Sequence, residues 1–135
     1  MIRSPRFWFG AFAIWVATLW WLSSDVRELP APQDWVNVDK FYHFGFFLGG
    51  AGILASAVYW HRGDWPFRRR FWIVVGIVAL VGGLDELHQS FVEGRSGNDP
   101  FDFAADFLGA CAGTWLFEVL RPKIFRRRSV PAPTT

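Results

Sequence analysis

The sequence predicts an all-α, polytopic membrane protein: a bundle of four transmembrane helices with the N- and C-termini in the cytoplasm. Four long apolar runs carry that reading, each near the length that crosses a bilayer. Prolines fall before and after these runs, as punctuation. The charges between them alternate in sign along the chain.

The first run, Phe7 to Ser24, contains no charge. Arg3 and Arg6 precede it, as in a secretory signal. Trp20 and Trp21 stand where small residues would lead into a cleavage site, so the run is read as a retained anchor. The second run, Phe41 to Trp60, carries His43 near its start. The third begins at Phe71, stays uncharged to Leu84, and continues through Asp85, His88 and Gln89 to Val92. The fourth, Asp102 to Leu120, holds Asp106 near its start and Glu118 near its end.

By length alone the third and fourth runs would also suit buried helices of a soluble protein. Charge bookkeeping decides for spans. The N-terminus, residues 61–70 and the tail from Glu118 together hold eleven bases and two acids. Residues 25–40 and 85–106 together hold three bases and ten acids. The positive-inside rule places the basic groups in the cytoplasm and the acidic groups outside. Trp8, Trp60, Trp65 and Trp72 then fall near the inner surface and Trp20 and Trp21 near the outer one, where interfacial indoles belong.

Composition agrees. Of 135 residues 52% are hydrophobic and 19% aromatic, with nine Trp, which is too apolar for a soluble domain of this size. Mean hydropathy is only +0.18 because the polar residues are gathered between the runs. The net charge of +2 lies at the ends of apolar runs, which indicates a lipid bilayer as partner and excludes nucleic acid. A single cysteine, Cys111, excludes an internal disulfide and a multi-cysteine zinc site, and its Gly and Ala neighbours mark a packed thiol. One membrane domain, residues 1–125, is expected, followed by a disordered cytoplasmic tail, 126–135, with three Arg facing lipid.

Small residues allow helices to approach in lipid, so Gly45 with Gly49 and Gly109 with Gly113 are candidate packing positions. Asp102, Asp106, Gly109 and Gly113 share one helical stripe, which turns both carboxylates towards the bundle interior. Two further polar sets lie at helix ends on the same side of the membrane. Asp39 and His43 are one turn apart, with Lys40 beside them, and Asp85, Glu86, His88 and Gln89 close the third run. Arg95, in the turn-rich stretch 93–99, is placed to fold back over these acids. The ten residues Asp39, Lys40, His43, Asp85, Glu86, His88, Gln89, Arg95, Asp102 and Asp106 form the candidate ligand-binding cluster. No H-x-x-x-H or cysteine spacing marks a metal site, so neither a resident metal nor a cofactor is expected, although a divalent cation would suit two His and several carboxylates.

From Val38 to Phe117 the chain resembles the VanZ-like family of bacterial membrane proteins. The resemblance lies in Asp39-Lys40-Phe41-Tyr42-His43-Phe44, Asp85-Glu86-Leu87-His88-Gln89-Ser90-Phe91, Gly94-Arg95, and Asp102 through Gly109 with Gly113. It implies a helical protein of the cell (cytoplasmic, or inner) membrane. It also implies an envelope role, with a lipid-linked cell-wall precursor as candidate ligand. The founding member is associated with resistance to the glycopeptide teicoplanin. No agreed catalytic residues carry over.

The leading expectation is a non-enzymatic protein whose outer-face cluster binds an anionic or lipid-linked envelope component. The first alternative is a membrane enzyme acting on a lipid-linked substrate, with Asp85, His88 or Asp106 in acid–base roles. The second is an accessory subunit or homo-oligomer in which the cluster clamps helices and a membrane partner docks on the exposed aromatics.

Overall fold

The computed structural model describes residues 3–25, 38–94 and 99–125. These form four α-helices: α1 (Pro5–Ser23), α2 (Val38–His61), α3 (Phe67–Gln89) and α4 (Pro100–Ile124). Each coincides with one predicted run to within a few residues. Proline at the start of α1 and α4 explains two of the beginnings, since the first turn leaves its N–H groups unpaired anyway. Pro66 stands just before α3 in extended backbone. Pro122 departs from expectation: it lies inside the last turn of α4, not beyond the helix. One lost hydrogen bond at a fraying end is tolerated there, and Phe125 N–H closes the turn on Arg121 O.

Helices α2, α3 and α4 are long and apolar enough to cross a membrane. The runs of α3 and α4 are the two that length alone left open to a buried soluble helix, while α1, with 19 residues, is not among these three. All four helices present large apolar side chains outward, among them Ile14, Phe41, Leu80, Phe101 and Trp115. So much exposed apolar surface on every element suits lipid as the solvent.

The neighbours are explained by small residues. A Cβ on Gly109 would overlap the carbonyl of Phe44, and one on Gly113 would overlap that of Leu48. Bare backbone therefore lets α4 lie directly against α2, and this is the tightest seam in the bundle. The two helices run parallel: the start of α4 meets Phe44, while Tyr59 and Phe117 pack together near the far end. Gly45 and Gly49, the other predicted packing pair, correct that expectation. Both are exposed, with nothing within 4 Å of a built Cβ, because α2 turns its Gly50 edge inward instead. Gly50 receives the indole of Trp15 from α1, and Trp15 Nε1–H donates to Phe46 O at 3.2 Å.

The interior is built from Phe47, Ala51, Leu54, Ala57, Val74, Val78 and Ala110. At one end of it Arg70 is buried, not a surface anchor as its Arg68-Arg69-Arg70 run suggests. Its guanidinium donates to Glu118 Oε1 at 2.9 Å and to the carbonyls of Gly63 and Trp65. Arg121 donates to the same Glu118 oxygen at 2.6 Å.

Candidate functional site

At the opposite end, three helices bring their acids together. The reason is topological: α2 and α4 start there while α3 ends there. Asp39, Lys40 and His43 come from the first turns of α2, Asp85, Glu86 and Gln89 from the last turns of α3, and Asp102 and Asp106 from the first turns of α4. Asp99 caps α4, its carboxylate accepting from Phe101 N–H at 2.8 Å.

Lys40 is shared among three carboxylates. Its Nζ lies 2.5 Å from Asp102 Oδ1, 2.7 Å from Asp99 Oδ2 and 3.1 Å from Asp39 Oδ2. Asp99, outside the long apolar helices, is held below the ordinary carboxylate range by the Lys40 ammonium and then by the Phe101 N–H. His43 Nδ1 lies 2.9 Å from Asp106 Oδ1. Glu86 Oε2 accepts from Asp99 N–H at 3.0 Å, and Asp85 Oδ2 accepts from Gln89 Nε2 at 2.7 Å.

These bonds leave acceptors over. Asp85, Glu86, Asp102 and Asp106 are all buried, Asp106 completely. Each keeps one buried oxygen without a hydrogen bond: Asp85 Oδ1, Glu86 Oε1, Asp102 Oδ1 and Asp106 Oδ2. Asp102 Oδ1 is nonetheless ion-paired to the Lys40 ammonium. Inside an apolar bundle each of the other three oxygens costs about 1–3 kcal/mol, more when charged. His43, Glu86 and Asp106 each offer a donor atom, and these atoms lie within 4.8 Å of one another.

The structure gathers most of the predicted residues but not all. His88 is the main correction. It leaves α3 on the side facing α1, where its ring stacks on Trp20 with centroids 4.3 Å apart and its Nε2 lies 3.2 Å from Ser24 Oγ. Of the three acid–base candidates, His88 therefore lies apart, towards α1. Asp39 sits at the rim, half exposed, and touches the cluster through Lys40. Arg95 falls outside the described residues. Gly82 was missed: a Cβ there would stand 2.9 Å from Asp106 Oδ2 and 3.1 Å from Phe47. Its absence admits the Asp106 carboxylate against the α3 backbone. Asp99 was passed over as a loop residue, although Asp before Pro is a helix-start signal.

Comparison with known proteins gives one match. The VanZ/LLP1 family model covers residues 6–121, which takes in most of every helix and every residue of the cluster. No curated protein and no solved structure matches the chain. The chain belongs to the VanZ-like (VanZ/LLP1) family.

Proposed function

We propose that this VanZ-like protein is a four-span, multi-pass protein of the bacterial cytoplasmic membrane that binds an envelope component at its acidic end. In this reading α1 is the fourth span, both termini are cytoplasmic, and the acidic cluster faces outward. The observation that supports binding is the surplus of buried, unpartnered carboxylate oxygens at one end of an otherwise apolar bundle. Groups this expensive in lipid suggest a ligand that completes them. The component is an anionic lipid or a lipid-linked cell-wall precursor. Lys40 is already divided among three acids, so such a ligand would need Arg95 or a bridging cation for its negative group. Altered glycopeptide susceptibility is the phenotype that family membership nominates.

Native mass spectrometry of protein released gently from its own membrane tests this. Wild type should retain a defined anionic or lipid-linked species, and Glu86→Gln should lose it. The same bulk lipids on both would sink the reading. Orientation has its own test. In a Cys111→Ser background, Glu93→Cys should label from outside the cell and Asp64→Cys only after the membrane is opened. The reverse pattern would invert the topology.

A second reading has a specific observation behind it. Lys40 ties α2 to Asp102 on α4, His43 ties α2 to Asp106 on α4, and Glu86 ties α3 to the α4 cap. The cluster would then be a helix clamp in an accessory subunit. That version expects cluster variants to lose stability while bound species stay unchanged.

A further inference from the structure

We propose that His43, Glu86 and Asp106 hold a divalent transition-metal ion, of the class that accepts imidazole nitrogen together with carboxylate oxygens, with Zn2+ as its representative. The site goes beyond the envelope-ligand reading and does not need that reading to be right.

Geometry comes first. One donor atom from each of the three residues falls within 4.8 Å of the others, and each residue belongs to a different helix. Around an ion with bonds of about 2.0–2.2 Å, neighbouring donors stand about 3–3.5 Å apart. His43 Nδ1 and Asp106 Oδ1 are already 2.9 Å apart. Glu86 brings the third donor, its Oε2 held by Asp99 N–H and its Oε1 without a hydrogen bond.

The unpartnered oxygens are the second, independent observation. Asp106 Oδ2 and Glu86 Oε1 are buried and accept no hydrogen bond from the described residues. A helix clamp needs its acceptors filled. These are left open beside a ligating imidazole.

Charge balance points the same way. Among the described residues, six carboxylates (Asp39, Asp85, Glu86, Asp99, Asp102 and Asp106) gather at the end that holds Lys40 and His43, an excess of negative charge that a divalent ion would reduce. The imidazole selects the metal: Mg2+ and Ca2+ take oxygen, whereas Zn2+ and its first-row neighbours accept nitrogen and carboxylate together. His43 retains 15% of its side chain exposed, on the open end of the bundle, which gives an ion a route in. An ion so held would also present positive charge to an anionic headgroup, the element that Lys40 cannot spare.

The test uses the full chain in detergent, stripped with a chelator, equilibrated with Zn2+ and freed of excess. Elemental analysis should find about one zinc per chain, and His43→Ala or Asp106→Asn should weaken binding about 10–100-fold. His88→Ala and His61→Ala should leave it unchanged, since both rings lie outside the site. Where a cluster variant fails to fold, X-ray absorption of the wild-type zinc complex decides: one imidazole and an oxygen shell support the site. A sulfur shell, two imidazoles, or no zinc on folded wild type overturns it. Unchanged zinc binding in folded His43→Ala overturns it too. Lipid retention is scored separately on the zinc-loaded wild type. Bound zinc with no defined lipid species would count against the envelope ligand alone.

Discussion

The two ends of the bundle solve the problem of buried charge in opposite ways. At the arginine end, two cations meet on one acid: Arg70 and Arg121 both donate to Glu118 Oε1. Their surplus charge is absorbed by the carbonyls of Gly63 and Trp65 and by the ring of Tyr59, 4.6 Å from the Arg121 guanidinium. What stays unpaired there is a pair of donors, Trp60 Nε1 and Arg121 Nε. At the acidic end six carboxylates, four of them buried, gather about one lysine and one histidine, and every atom left over among the described residues is an acceptor. The first end keeps spare donors around a shared acid, and the second keeps spare acceptors around shared cations.

Removing the seam between the ends should have the largest effect. Gly113→Val drives a side chain into the Leu48 carbonyl and should cost about 3 kcal/mol or more, measured by thermal unfolding in detergent. Both ends should fail together; survival of either alone would mean that they are independent. Glu118→Gln strips two arginines of their counter-charge and should cost about 2–3 kcal/mol in the same assay. Asp85→Asn should do the opposite at the other end. An amide oxygen still accepts from Gln89 while one surplus charge is gone, so metal-free protein should stay within about 1 kcal/mol of wild type or gain stability. A loss as large as that of Glu118→Gln would erase the contrast.

The smallest expected effect concerns acid. Asp99 is held below its usual range, so its contribution is complete above the unfolded carboxylate value of about 4 and fades as pH falls through the lower folded value. Melting temperature should hold from neutral pH to about 5 and drop below about 4, with Asp99→Asn flattening part of the drop. An unchanged acid limb would remove Asp99 from the account.

The four helices were legible because span length, proline placement and charge alternation all report on local sequence. The α4 part of the cluster was legible for the same reason: Asp102 and Asp106 share a stripe with Gly109 and Gly113, which fixes the face they present. His88 was not. One residue before Gln89, it rotates far enough round α3 to meet Trp20, and only the position of α1 reveals that. Gly50 and Gly82 matter through what stands opposite them, an indole and a carboxylate, and no spacing within α2 or α3 announces either partner. Arg70 looked like its neighbours Arg68 and Arg69 because a run of like charges hides which member turns inward.

The parallel seam of α2 and α4 has an electrical consequence. In an antiparallel pair the helix dipoles cancel; here they add, each equivalent to about half a positive charge at its N-terminus. Both positive poles lie beneath Asp39, Asp99 and Asp102, whereas α3 brings its negative pole to the same place. Asp85 and Glu86 therefore stand at a helix end whose backbone repels them, and a cation at the acidic end would be drawn towards α3.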